Sequence, residues 1–207
     1  MMTETFEPRE HSKAFNMPDT PAKVKSFASH ILKHFRLVVV MGLSCTGKST
    51  LVNAYGGRPG WTMTKWNRDQ IWDMMFPDGR RVDKYYNKID KFEKDLFPEL
   101  LAREKHQIIT EGWNRLPRSR TLYRQMMGDL VGRKAVVVFD GPIDAIIARN
   151  MAAQRLDMPD EEMRVFLKKQ HEGIVWPSFD EGWDSILYVN TFGEKGTDYL
   201  TKYLVKG

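Results

Sequence analysis

The sequence predicts an α/β domain with a mostly parallel central sheet flanked by helices. Three observations point there. The apolar run Leu37-Val38-Val39-Val40-Met41 reads as a buried strand, and it leads straight into Gly42-Leu43-Ser44-Cys45-Thr46-Gly47-Lys48-Ser49-Thr50 and a helix-like run from Lys48. Further apolar strand runs alternate with helical patterns along the chain, the signature of parallel strands joined by crossover helices. The chain has 207 residues, 42% of them hydrophobic, which is enough for one domain with a substantial core.

In chain order, residues 1–35 read as an N-terminal extension ahead of a domain spanning 36–207. Met1–Asp19 carries Pro8, Pro18 and scattered charges with little periodicity, so poor order is expected. Thr20-Pro21 reads as an N-cap followed by proline, opening a helix to about His34 with Val24, Phe27, Ala28 and Ile31 at helical spacing. The helix after the glycine loop should end near Tyr55, because Gly56-Gly57-Arg58-Pro59-Gly60 breaks it. Trp61–Trp66 has strand composition, Asn67-Arg68-Asp69 follows, and Gln70–Met75 is helical before the turn Pro77-Asp78-Gly79. Tyr85, Ile89, Phe92, Leu96 and Leu100 mark one face of a helix over Val82–Lys105, with Pro98 a candidate kink and interleaved lysines and acids on a solvated face. Gln107–Glu111 and Lys134–Asp140 read as strands, Pro117–Leu130, Pro142–Met151 and Asp160–Gln170 as helices, Ser185–Asn190 as the last strand and Glu194–Val205 as a closing helix.

Strand, glycine loop and helix in that order form the P-loop pattern Gly-x4-Gly-Lys-Ser. The glycines let the backbone turn its N–H groups onto phosphate oxygens, and the helix start adds its positive dipole end. In such loops the lysine, here Lys48, reaches the β- and γ-phosphates, and the hydroxyl, here Ser49, ligates Mg²⁺. ATP and Mg²⁺ are thus the expected cofactors. In open α/β sheets the ligand sits at the carboxyl ends of the strands. That rule singles out Gly42, Asn67–Asp69, Glu111–Asn114 and Asp140. Asp69 is placed either to accept a proton from an attacking hydroxyl or to cap the helix it precedes. Arg149 and Arg155 fit a lid that neutralises charge on a transferring phosphoryl group, or a solvated helix face.

Composition excludes several classes. A single cysteine leaves no internal disulfide and favours a reducing, cytoplasmic setting. Nothing approaches 18 consecutive apolar residues, so no membrane span is expected, and the polar, acidic N-terminus does not read as a signal peptide. The net charge of +5 suits a polyanionic partner. Missing the Asn-Lys-x-Asp guanine signature, the chain does not read as a GTPase. His171 has no partner at metal-ligand spacing.

Taken together, Gly-x4-Gly-Lys-Ser, Asn67-Arg68-Asp69, a strand-end acid followed by Asn114, Phe139-Asp140 and Arg149-Asn150 resemble the kinase domain of polynucleotide 5′-hydroxyl kinases of the phage and eukaryotic types. Pro177-Ser178-Phe179-Asp180-Glu181-Gly182-Trp183-Asp184-Ser185-Ile186 is similar to the Pro-x-x-x-Glu-Gly-aromatic-x-x-Ile segment of the eukaryotic type. The resemblance covers about Arg36 to Asn190. It implies a P-loop kinase fold with an arginine-bearing helical lid, and a nucleic acid with a 5′-hydroxyl end as partner. It further implies that Lys48 and Ser49 hold phosphates and Mg²⁺, that Asp69 activates the 5′-hydroxyl, and that Arg149 and Arg155 clamp ATP. Two departures stand out. The family's Asp-x-Thr-Asn is here Glu111-Gly112-Trp113-Asn114, and Trp72 replaces an arginine that binds the acceptor's phosphate in the phage enzymes.

Candidate acceptor-binding residues are therefore Arg68, Trp72, Glu111, Trp113, Asn114, Arg115 and Arg118, with Arg120 beside them. Trp72 and Trp113 are the better stacking candidates, whereas Trp61 and Trp66 suit the core. Cys45 reads as a small filler of the loop. The rival functions are a small-molecule kinase on the same fold and a nucleotide-driven switch.

Overall fold

The computed structural model describes residues 9–10, 15–16, 29, 32–76, 85–128, 132–153, 156, 158–190 and 198–205. Its strands are β1 (Arg9–Glu10), β2 (Phe15–Asn16), β3 (Leu37–Met41), β4 (Thr62–Asn67), β5 (His106–Gly112), β6 (Lys134–Asp140), β7 (Ser185–Asn190) and β8 (Asp198–Val205). Its helices are α1 (Lys48–Ala54), α2 (Arg68–Met75), α3 (Tyr86–Ala102), α4 (Pro117–Met127), α5 (Ile143–Ala153) and α6 (Asp160–Glu172). The sheet runs β1-β8-β7-β6-β3-β5-β4, and β2 also pairs with β8. The five strands β4, β5, β3, β6 and β7 are mutually parallel. This is the predicted fold class.

The P-loop strand lies at the centre of those five because it can be buried on both faces. All five of its residues are at most 0% exposed. Its side chains alternate. Val38 and Val40 pack with Leu51, Val52 and Tyr55 of α1, and Leu37, Val39 and Met41 pack with Phe97 and Leu101 of α3 and Tyr123 and Met127 of α4. Each such apolar side chain contributes roughly 1.5–3 kcal/mol of burial. A third cluster joins α5 to α6 through Ile147, Met163 and Leu167. Pro98 stands inside α3, which runs unbroken from Tyr86 to Ala102.

The closing helix is corrected. Residues 198–205 form β8, antiparallel to β7 with Leu187 opposite Tyr203. Tyr199, Thr201, Tyr203 and Val205 recur at every second position, and aromatic and β-branched residues suit a pleated surface. Pairing also satisfies the β7 edge, whose backbone groups would otherwise face no partner. The N-terminal stretch is corrected too: Arg9–Glu10 and Phe15–Asn16 are antiparallel partners of β8. Most of the helix expected between Thr20 and His34 lies outside the described residues, as do Pro77-Asp78-Gly79 and the start expected for α3. Where the description resumes, Leu32 and Phe35 are buried. Their carbonyls each accept a 2.7 Å hydrogen bond from the Gln107 amide of β5.

Candidate active site

The loop Gly42–Gly47 joins the carboxyl end of β3 to α1, whose first turn carries Lys48, Ser49 and Thr50. Gly42 has φ +146°, and a Cβ there would sit 2.5 Å from the Phe139 carbonyl of β6, so the loop start admits no side chain. Gly47 caps α1 at φ 97°, and Cys45 holds a left-handed φ of 58°. The loop is braced from inside and outside. Thr46 Oγ1 donates to the Leu43 carbonyl at 2.9 Å, and Lys48 Nζ donates to the same oxygen at 2.6 Å. Asn150 of α5, fully buried, donates to the Ser44 carbonyl at 3.0 Å. Next to it, the exposed Arg149 reaches the Cys45 carbonyl at 3.4 Å. Sequence reasoning assigned Asn150 no role. Its place is one residue after Arg149, so one helix end both braces the loop and overhangs it.

Sheet register carries Glu111 to the same place. Val40 of β3 and Asn67 of β4 are its neighbours on either side. The Glu111 carboxylate accepts from Ser49 Oγ at 2.8 Å and from Asn67 Nδ2 at 2.6 Å. A hydroxyl and a carboxylate together are hard oxygen donors, the chemistry that suits Mg²⁺ beside phosphates. Glutamate in place of the family aspartate still reaches the P-loop serine.

Asn67 settles one alternative for Asp69. The Asn67 Oδ1 accepts from the backbone N–H of Asp69 at 2.9 Å and of Gln70 at 3.3 Å, so Asn67 is the N-cap of α2. Asp69 lies in the first turn and is exposed. Its carboxylate is not the cap.

Other acceptor-side residues are not presented to a ligand. Arg68 bonds Asp90 at 2.5 Å and also Glu93 of α3. Glu93 is fully buried and accepts in addition from Trp66 Nε1 and, at 3.3 Å, from the Tyr123 hydroxyl. Burial alone would lower the Arg68 pKa. The hydrogen bond to Glu93 and the charges around it outweigh that, so the guanidinium is held charged. Burial, with Glu93 adding, pushes the Tyr123 phenol up to about 12 and keeps it a donor. Arg68 is thus an anchor of α2 on α3. Trp72 corrects the stacking expectation: it is 3% exposed and lies against Phe76 with ring centroids 5.4 Å apart. On α2 its position faces inward, so no ring face is offered to a base. Trp66 is in the core, as expected, and Trp61 lies under the Arg58 guanidinium at 4.2 Å.

The segment after β5 is mixed. Trp113 is half-buried, packs on Phe166 of α6 at 5.6 Å, and its carbonyl accepts from the Gly42 N–H at 3.4 Å. Asn114, at φ 42°, donates to the Val40 carbonyl at 3.0 Å and so is a brace. Arg115 donates to the Gly173 carbonyl at 3.3 Å. Arg118 is exposed on the first turn of α4. Arg120 is fully buried, correcting its place as a phosphate contact. It pairs with both Glu181 oxygens and donates to the carbonyls of Asn114 at 3.0 Å and Val175 at 2.9 Å. Trp183 Nε1 donates to Glu181 at 3.0 Å. The Glu181-Gly182-Trp183 stretch therefore clamps the approach to β7 onto α4. Because that pair is buried, Arg120→Ala leaves an uncompensated carboxylate. It is expected to cost roughly 3–5 kcal/mol in chemical denaturation, with Arg120→Met/Glu181→Leu recovering much of it.

Arg155 lies outside the described residues. Among the described residues, no three or more His, Cys, Asp or Glu gather as a metal site, and no helix is long and apolar enough to cross a membrane. His171 of α6 meets Asp140 at 3.3 Å, a contact its spacing did not suggest.

With this geometry in place, the likeness to known proteins is informative. Residues 37–170 match the model of the AAA_33 family, described as an AAA domain. The chain belongs to that family. None of the curated proteins matches the sequence. Among solved structures, a chain of the Pnkp1/Rnl/Hen1 RNA repair complex is similar at 18% identity and TM-score 0.55, over 84% of this chain and 49% of that one. A candidate kinase from Chloroflexus aurantiacus J-10-fl is similar at 18% identity and TM-score 0.55, over 79% of this chain and 90% of that one. A further Pnkp1/Rnl/Hen1 complex chain shares 25% identity over 56% of this chain and 39% of that one, at TM-score 0.48. This chain spans about two fifths to half the length of the two complex chains. The likeness to these structures is one of fold, and on that fold the P-loop is a site for nucleotide phosphates.

Proposed function

We propose that the protein transfers the γ-phosphate of ATP to the 5′-hydroxyl of a polynucleotide. The observation that carries transfer to a hydroxyl is Asp69: an exposed carboxylate on the first turn of α2, relieved of capping by Asn67, whose own side chain holds Glu111 against Ser49. The polynucleotide acceptor is supported by the resemblance of Asn67-Arg68-Asp69 and Glu181-Gly182-Trp183 to the 5′-hydroxyl kinases. The fold likeness to a chain of an RNA repair complex agrees with it.

In this reading, the amides of Leu43–Thr50 and the Lys48 ammonium bind the ATP phosphates. Mg²⁺, when bound, neutralises phosphate charge, and Ser49 and Glu111 would hold it. Arg149, with Arg155 as the second arginine of the resemblance, adds positive charge where the phosphoryl oxygens develop theirs. Asp69 accepts the proton of the attacking hydroxyl, which is the one step that requires a base. Trp113 and Arg118 line the approach of the acceptor.

The test is transfer of labelled γ-phosphate to a panel: 5′-hydroxyl DNA, 5′-hydroxyl RNA, nucleoside 3′-monophosphates, nucleosides and sugars. Oligonucleotides are expected to be the best acceptors, with kcat/KM falling as salt screens their phosphates. Equal use of mononucleotides and oligonucleotides, insensitive to salt, would turn the assignment to a small-molecule kinase.

A further inference from the structure

We infer that Trp176 is a stacking platform for an unpaired base of the acceptor strand, a few nucleotides from its 5′ end. This rests on the polynucleotide reading. Trp176 and Val175 are 42% and 46% exposed, unusual for residues of their type in a loop otherwise tied down on both sides. The Val175 N–H donates to the Arg115 carbonyl at 3.0 Å, and the Val175 carbonyl accepts from the buried Arg120 at 2.9 Å. A rigid backbone thus presents an exposed indole, which lowers the ordering cost of a stack.

Sheet register fixes where it stands. The Trp176 ring lies against Tyr188 of β7, centroids 6.3 Å apart and tilted by 47°. Tyr188 is level with Val138 of β6, and Val138 with Met41, the residue before Gly42. Trp176 is therefore at the height of the P-loop, about two strand spacings or roughly 10 Å to one side of its strand. Tyr188 and Met41 both pack into the layer of α3 and α4, whereas α1 lies on the opposite face. The site is on the α4 side, where the loop after β5 carries Trp113 and Arg115 and the first turn of α4 carries Arg118.

Charge fits the same occupant. Arg118 follows by three residues the Arg115 whose carbonyl holds Val175, Lys168 and Lys169 lie in the last turns of the helix that leads into this loop, and all three are exposed. Glu172 and Asp180 are the exposed acids of the stretch. An aromatic face among cations is the arrangement that holds single strands without regard to sequence.

The experiment compares full-length protein with Trp176→Ala and Trp176→Phe on 5′-hydroxyl oligonucleotides of two to twelve nucleotides. In wild type, kcat/KM is expected to rise with length over the first several nucleotides. Trp176→Ala should lower it about 5- to 100-fold on the longer acceptors, leave dinucleotides and the KM for ATP within twofold, and flatten the length dependence. Trp176→Phe should keep most of the gain. A rise in the KM for ATP would make adenine the occupant and overturn the inference. So would unchanged kcat/KM on long acceptors in Trp176→Ala while wild type phosphorylates them well. If wild type phosphorylates no polynucleotide at all, the functional reading fails, and this inference falls with it.

Discussion

Lys48→Ala is expected to abolish transfer. Lys48 begins α1, and its ammonium rests 2.6 Å from the Leu43 carbonyl, inside the loop that would enclose the phosphates. That hydrogen bond is a holding position: a bound β- or γ-phosphate oxygen is a stronger partner for an ammonium than a neutral carbonyl, because both groups are charged. In phosphoryl transfer the protein does little covalent chemistry, so the barrier falls mainly through placed charge. Removing one such stabiliser costs on the order of 10²–10³-fold in kcat, roughly 3–4 kcal/mol. ATP affinity should fall as well. The fold should persist, since Lys48 is half-exposed and the loop keeps its Thr46 and Asn150 braces. Single-turnover transfer beside thermal unfolding separates the two effects. Near-normal kcat in a folded variant would sink the assignment of the loop.

Much of this site was legible in the sequence because strand-end rules act locally. A buried run followed by glycines fixed β3 and the loop, and Asn67 and Glu111 fell at the ends of β4 and β5, where the register pairs them and Glu111 reaches Ser49. Side-chain direction was not legible. Arg68, Trp72 and Arg120 looked like acceptor contacts because their residue types suit nucleic acid. Yet each turns inward, toward Glu93, Phe76 and Glu181, partners 25, 4 and 61 positions away. A long-range buried acid that selects an arginine leaves no local pattern, so Glu93 and Glu181 passed as surface charge and family marker. The closing segment failed for a related reason: β8 is decided by the open edge of β7 as much as by its own alternating residues. Trp176 gave no signal either, since its exposure follows from the clamp of Val175 between Arg115 and Arg120.

Asp69→Asn is expected to keep ATP binding and lose turnover. The substitution preserves shape and hydrogen-bonding capacity but removes the only function a base supplies, acceptance of the hydroxyl proton as the bond to phosphorus forms. General-base catalysis contributes about 10²–10⁴-fold, so kcat should fall by that factor. The KM for the acceptor should change little if Asp69 acts in the transition state alone. Helix α2 should keep its cap, because Asn67 and not Asp69 supplies it through the N–H groups of Asp69 and Gln70. That is what makes the variant decisive: a loss of activity cannot be attributed to a lost cap. Asn67→Ala is the contrasting variant. It removes the cap, worth about 1 kcal/mol, and also releases one partner of the Glu111 carboxylate, so it should lower both stability and rate. Calorimetric ATP affinity beside single-turnover transfer reads the difference. Transfer within threefold of wild type in Asp69→Asn would mean that the hydroxyl proton leaves by another route, and the base would have to be sought elsewhere at the strand ends.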